Sequence, residues 1–250
     1  RKEKSGALSG LTRVQGFTQD DAHIFCTPEQ LVDEINEIID FVADTMKIFK
    51  MSLKEAMDRR GMKYDINEGD GAFYGPKIDF KVKDALGRTW QCATIQLDFN
   101  LPERFDIKYQ DKDGSMKTPV MLHRVIFGSM ERFHGILIEH YAGAFPTWLA
   151  PTQVAIVPIS NEKHIDFAEE VYKKMRAAGI RVKLDDRSES MNYKIRESLQ
   201  DKKIPYVCVI GDKEIEANAV AVRKRGVGQV GTKSVDEFIA EIEKEIKDRA

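Results

Sequence analysis

The sequence predicts an α/β protein in two parts: an antiparallel β-sheet with flanking helices, then a small α/β domain. Three observations carry this. Between residues 78 and 99 two β-patterned runs are joined only by the turn Ala85-Leu86-Gly87, with no helix between them, which is the pattern of an antiparallel hairpin. Beyond Trp148-Leu149-Ala150-Pro151 the pattern changes to short strands alternating with helices, over the length of one ordinary domain. The whole chain has 250 residues, enough for two such domains, here 1–147 and 148–250.

Taken in order, residues 11–15 and 22–26 are β-like, with Gly16 and Asp20-Asp21 between them, a hairpin or strand–loop–strand. A helix follows. Thr27 suits the N-cap, Pro28 the first helical position, and Gln30 completes a capping box. Leu31, Ile35, Ile38, Val42, Met46 and Phe49 then form one apolar face. A second amphipathic stretch over 53–60 ends at Gly61. Ile78, Phe80 and Val82 alternate with charged residues, and 88–99 returns as a long strand. Residues 119–142 read as helix-rich, closed by Gly143. In the second part, strands are expected at 154–159, 181–184, 206–210 and 219–224, and helices at 165–178 (ended by Gly179) and 193–200. Ser234 caps a last helix, with Glu237 at capping-box spacing and Phe238, Ile242 and Ile246 on its buried side.

Composition bounds the function. Hydrophobic residues at 42% and charged residues at 32% describe a soluble globular chain. No apolar run approaches the roughly 20 residues that span a bilayer, so no membrane partner is expected. Arg1-Lys2-Glu3-Lys4 leads into polar residues rather than the apolar core of a signal peptide. Cys26, Cys92 and Cys208 are odd in number and far apart, which points to a reducing compartment, the cytoplasm. A net charge of -2 excludes bulk attraction of a polyanion. Nucleic acid would have to meet local patches, Lys202-Lys203 or Arg223-Lys224-Arg225, though either cluster alone reads better as solvated surface charge.

Individual residues leave choices open. Arg1 and Arg13, with Ser5-Gly6 and Ser9-Gly10 between them, suit phosphate oxygens or an ordinary surface hairpin. His23 and His123 each adjoin apolar residues, as a core histidine or a ligand does, and their separation makes no compact zinc motif. Thr94 and Gln96, two apart on one strand, face the same way, toward a ligand or toward water. Arg132 either stacks on an aromatic base or pairs with Glu131 or Glu139.

Together the strings are more specific. Residues 1–26, above all Gly16-Phe17-Thr18-Gln19-Asp20-Asp21-Ala22-His23, resemble class II motif 2 of the threonyl-tRNA synthetase family. Gly71-Ala72-Phe73-Tyr74-Gly75-Pro76-Lys77, Gln91-Cys92-Ala93-Thr94-Ile95-Gln96-Leu97-Asp98-Phe99 and His123-Arg124 follow in the family's order, and Gly128-Ser129-Met130-Glu131-Arg132-Phe133 resembles motif 3. The resemblance implies a partial class II synthetase catalytic core over 1–147, with its antiparallel sheet, and an anticodon-binding domain with a mixed sheet over 148–250. It implies ATP-dependent ligation of threonine to its tRNA through threonyl-adenylate. Arg1 and Lys77 are then catalytic. Arg1, Glu3, Arg13, Phe17 and Arg132 bind ATP, with the adenine between Phe17 and Arg132, and Mg²⁺ accompanies the phosphates. Gln19, Asp21, Tyr74, Thr94, Gln96 and Ser129 bind threonine. His23 and His123 are two of three zinc ligands, one Zn²⁺ per subunit, in a site where a metal helps tell a hydroxyl from a methyl. Ser188, Lys203, Glu214 and Arg223 contact the anticodon, and the protein is a homodimer.

The same resemblance sets out what lies elsewhere. The family's third zinc ligand is a cysteine upstream of motif 2, as is motif 1, and none of Cys26, Cys92 or Cys208 occupies its place. The family also has a longer segment where Lys50-Met51-Ser52-Leu53 runs directly into Lys54-Glu55-Ala56. These 250 residues are therefore expected to be pieces of a longer protein, with little zinc affinity or adenylate formation on their own. A non-catalytic tRNA-binding relative and a synthetase for serine or proline are the competing readings; the intact ATP set disfavours the first, and the paired histidines with Asp21 the second.

Overall fold

The structure, a computed structural model, describes residues 6–49 and 73–250. It divides into two compact units, Arg1–His140 and Tyr141–Ala250. Among the described residues no helix is long and apolar enough to cross a membrane. The 53–60 stretch, Arg1 and Glu3 lie outside the described residues.

The first unit is built on a four-stranded antiparallel sheet in the order β1-β6-β3-β2. Its strands are β1 (Ala22–Cys26), β2 (Lys77–Lys83), β3 (Thr89–Asp98) and β6 (Val120–Val125). A two-stranded ribbon, β4 (Tyr109–Gln110) with β5 (Met116–Lys117), intervenes between β3 and β6. Helix α1 (Leu31–Ile48) buries Ile38, Val42 and Met46, the stripe expected from its spacing. It begins later than its capping signals suggest. The Thr27 N–H donates to Gln30 Oε1 and the Gln30 N–H to Thr27 O, so these residues close a turn of their own before the helix. The short α2 (Asn100–Arg104) follows β3, and α3 (Met130–His140) follows β6.

Two expectations need correction here. Residues 11–15 are not a strand: the N–H groups of Thr12 and Arg13 both fold back on Ser9 O, and the Thr12 hydroxyl joins them. The helix-rich reading of 119–142 holds only from Met130. Val120–Val125 is an inner strand, and the run Val120-Met121-Leu122 is buried on both faces, a pattern that periodicity cannot separate from helix.

The β2–β3 hairpin carries a β-bulge. Asp79 pairs with Thr94 but Lys81 pairs with Gln91, so two residues of β3, Cys92 and Ala93, oppose Phe80. Phe80 and Val82 are buried, but Ile78, before the bulge, is turned to the surface.

The second unit has a mixed sheet, β11-β10-β9-β7-β8. Strands β7 (Val154–Pro158), β8 (Val182–Leu184) and β9 (Tyr206–Ile210) run parallel, and β10 (Ala219–Lys224) and β11 (Gly228–Ser234) are antiparallel additions. Helices α4 (Asn161–Ala177) and α7 (Val235–Lys247) cover one face through Val171, Met175, Phe238 and Ile242. Helix α5 (Met191–Arg196), continued by a π-helical turn (Glu197–Asp201), covers the other through Ile195. Ser234 caps α7 as expected, its Oγ accepting the Glu237 N–H. The short α6 (Asp212–Glu216) links β9 to β10.

Candidate active site

The antiparallel register sets one row of side chains across the first sheet: Lys77 opposite Gln96, Gln96 opposite His123, His123 opposite His23. Residues two apart share a face, so Asp79, Thr94 and Val125 form the adjacent row. These rows floor a cavity of about 400 Å³. Its lining brings together Arg13, Phe17, Gln19, Asp21, Tyr74, Thr94, Gln96, His123, Ser129 and Arg132, residues dispersed over more than a hundred positions of sequence. Lys77 stands beside it, 2.8 Å from Asp79. His23 is not in the lining, but its ring meets that of His123 edge-on, with centroids 4.7 Å apart.

The bulge does more than bend the hairpin. Gln91 and Thr94 are three apart and would face opposite ways on a regular strand. The extra residue puts both on the cavity side, where the Gln91 amide donates to Thr94 Oγ1 (2.9 Å) and both side chains donate to Asp79 Oδ1 (2.7 and 3.0 Å). Gly128, in the turn after β6, sits against this bulge with φ +73; a Cβ there would lie 2.6 Å from Cys92 O. Deeper in the row, Tyr74 donates to Gln96 Oε1 at 3.1 Å.

The motif 2-like segment is stitched to the turn before α3. Gln19 bridges Ser129, the Met130 N–H donates to Thr18 O, and the Thr18 N–H donates to the Glu131 carboxylate. Asp20 accepts the N–H groups of Ile126 and Phe127. Neither alternative for Arg132 as a salt bridge is realised: Glu131 takes Thr18, Glu139 takes Arg88, and the Arg132 guanidinium donates to Thr12 O and Gln91 O. Sequence patterns alone do not mark Asp20, Asp79 and Gln91 as site residues: Asp20 and Gln91 lie on the specific strings without an assigned role, and Asp79 lies outside them, brought in only by its register with Thr94.

The imidazoles of His23 and His123 are the residues the sequence offers as metal donors. His123 Nε2 lies 2.9 Å from Asp98 Oδ2, and the fully buried Asp98 also accepts the N–H groups of Asn100 and Leu101. Burial alone would raise the Asp98 carboxyl; the hydrogen bonds from Leu101, His123 and Asn100 outweigh it and hold it below its ordinary value. A carboxylate so placed favours the proton on Nε2 and leaves the Nδ1 lone pair for a cation. Among the described residues no three His, Cys, Asp or Glu side chains converge as a metal site. Two imidazoles are compatible with part of a zinc site, which would need a third protein ligand that the described residues do not bring to them.

In the second unit the four expected anticodon contacts are spread. Ser188 follows β8 and Glu214 follows β9, at the C-terminal ends of parallel strands. Lys203 precedes β9, at its other end, and Arg223 pairs with Val207 near that end. The Glu214 carboxylate accepts the Gly211 N–H, and Lys203 Nζ donates to Ala142 O. Of the basic run, Arg225 is tied to the carbonyls of Lys203, Ala144 and Phe145, and Lys224 lies over Tyr206 and near Glu245.

Comparison with known proteins matches both units. Residues 1–141 match the tRNA synthetase class II core domain (G, H, P, S and T), and 153–245 match an anticodon binding domain. The chain is 53% identical to a threonine–tRNA ligase of Carboxydothermus hydrogenoformans and 54% identical to one of Finegoldia magna, in each case over all of this chain and 43% of the relative. Each alignment runs over 274 positions for a chain of 250. The chain thus spans less than half the length of these relatives. A solved RNA binding domain of threonyl-tRNA synthetase from Cryptosporidium parvum superposes with a TM-score of 0.87 at 39% identity, over 97% of this chain and 67% of that one. The antiparallel sheet with its motif 2 and motif 3 residues around one cavity, and the match over residues 1–141, lead to one conclusion: the chain belongs to the class II aminoacyl-tRNA synthetases of the glycine, histidine, proline, serine and threonine group.

Proposed function

We propose that this chain is the ATP- and amino-acid-binding part, with the anticodon-binding domain, of an enzyme that ligates L-threonine to its tRNA through threonyl-adenylate. The observation that carries the reading is the cavity in which Gln19, Asp21, Tyr74, Gln96 and His123 meet Arg13, Phe17 and Arg132. The first set suits a small polar amino acid, the second a nucleotide triphosphate.

In adenylate formation the threonine carboxylate attacks the α-phosphorus, and the bond to the β-phosphate oxygen breaks to release pyrophosphate. Positioning and charge supply the rate, with no protein nucleophile. Arg1 and Lys77 meet the charge that builds on the α-phosphoryl group, Arg13 holds the γ-phosphate, and Phe17 and Arg132 take the adenine, whose amine Glu3 accepts. Mg²⁺ accompanies the phosphates. Asp21 takes the substrate hydroxyl, and Thr94, Ser129, Tyr74, Gln19 and Gln96 complete the amino-acid pocket. His23 and His123 would hold one zinc per subunit, which when bound would supply a Lewis acid for the amino acid. Domain 148–250 reads the anticodon through Ser188, Lys203, Glu214 and Arg223, by contacts to exposed single-stranded bases. The whole protein acts as a homodimer in the cytoplasm.

The test is ATP–pyrophosphate exchange by the full-length protein, with metal analysis of the same sample. Exchange should depend on threonine and on about one zinc per chain. Exchange driven better by serine or proline, or none in a zinc-loaded sample, would overturn the reading.

A further inference from the structure

Trp90 has no part in the machinery described above, yet the Arg132 guanidinium lies over its ring, 5.5 Å from the centroid. That is within cation–π range. Arg88 approaches the same ring at 5.6 Å. The indole is anchored: Nε1 donates to Asp84 Oδ2 at 2.8 Å. Asp84 is itself fixed by the N–H groups of Leu86 and Arg88 and by the Arg88 guanidinium, which continues to Glu139 on α3. Arg132 lies in the first turn of the same helix.

A guanidinium is a plane with donors at its edge and two open faces. The edge donors of Arg132 go to Thr12 O (3.0 Å) and Gln91 O (3.3 Å). Arg132, with Trp90 beside it, also lines the cavity. An arginine on its own flexible stem would lose side-chain entropy on stacking against a ligand; one already backed by an indole loses less.

We infer that Trp90 is a positioning residue for the nucleotide: its indole, held by Asp84, backs the Arg132 guanidinium in the orientation that stacks on a purine. This rests on the reading that the cavity takes ATP. The chemistry that Trp90 governs is recognition of the base, and the phosphates are outside its reach.

Calorimetric titration of the full-length protein with ATP, and separately with pyrophosphate, tests this. Trp90→Leu should weaken ATP binding by roughly 5–20-fold, the scale of a desolvated cation–π contact, with pyrophosphate affinity and the KM for threonine changed by less than about twofold. Trp90→Phe keeps an aromatic face and should recover most of the loss. Should Trp90→Leu fail to fold, Trp90→Met, which fills similar space without a π face, takes its place with the same expected outcome. Equal losses for ATP and pyrophosphate, ATP binding unchanged in Trp90→Leu, or no recovery in Trp90→Phe would each overturn the inference. Failure of the unaltered protein to bind ATP would instead remove the underlying reading.

Discussion

The two units place polar side chains on their sheets in opposite ways. In the first, antiparallel register lines up Lys77, Gln96, His123 and His23 in one row, and a bulge adds Gln91 to the same face as Thr94. The result is convergence on one cavity. In the second, Ser188 and Glu214 follow strands at one end of the sheet, and Lys203 and Arg223 lie toward the other. Several of its charges also serve the fold, as when Arg225 gathers three carbonyls. On the proposed function, the difference would match two kinds of ligand. A small substrate has to be surrounded at hydrogen-bond distance, whereas an exposed RNA loop is met by separate contacts over a surface.

The sharpest way to break this comparison is His123→Ala in the full-length protein. Loss of a metal worth several kcal/mol of charge stabilisation corresponds to a fall of roughly 10³-fold in threonine-dependent exchange. Zinc content should fall with it while tRNA affinity stays within about twofold. A variant that keeps its zinc would sink the ligand assignment. Next comes a pair of glycines, one from each unit. Gly128→Ala forces a Cβ to 2.6 Å from Cys92 O at φ +73, and Gly179→Ala meets nothing within 4 Å at φ +78. The first should cost about 2–3 kcal/mol of stability, through strain and clash together. The second should cost about 1 kcal/mol, through strain alone. Denaturant unfolding of both variants measures the gap, and equal values would deny the close packing of this turn on the bulge.

The bulge also shows where the sequence stopped being legible. Alternation of Phe80 and Val82 with charges was enough for a hairpin, but Gln91-Cys92-Ala93-Thr94 contains no glycine or proline to announce an extra residue. Val120–Val125 reads as helix because the run Val120-Met121-Leu122, buried on both faces of an inner strand, lacks a period of two. Strand β11 carries no strand signal, since Gly228, Gly231 and its polar neighbours look like a loop, and only pairing with β10 makes it an edge strand. The sequence marks the residues that line the cavity better than it marks their supports. Specific strings marked its lining, but Asp79, Asp84, Asp98 and Trp90 act through partners that are distant in sequence or fixed by register, such as His123 for Asp98 and Arg132 for Trp90.

A smaller effect tests the surface-reading half of the comparison. Arg223→Ala should raise the KM for tRNA about 5–20-fold, on the scale of about 1–2 kcal/mol for one arginine–base contact. ATP–pyrophosphate exchange, which needs no tRNA, should stay unchanged. Loss of exchange along with tRNA affinity would mean that Arg223 supports the fold instead.

The smallest effects lie in how each unit responds to pH. Burial would raise the Asp84 carboxyl, but hydrogen bonds from Trp90, Arg88 and Leu86 outweigh it and hold it at about 2. A carboxyl depressed in the folded state contributes stability above its unfolded value, about 3.9, and loses that contribution as pH falls toward 2. Asp84→Asn should therefore melt below the unaltered protein at pH 7, and the gap should narrow between about pH 4 and pH 2. Tyr206 in the second unit has the opposite sign. Burial first, then its hydrogen bond to Glu245, pushes the phenol up. Its contribution is complete below the unfolded value, about 10, and is lost as pH rises beyond it. Tyr206→Phe should thus close its gap to the unaltered protein only on the alkaline side. A gap for Asp84→Asn that stays constant from pH 7 to pH 2 would mean that its ionised form does not hold the Trp90 loop, and the anchor beneath Arg132 would have to be sought in packing alone.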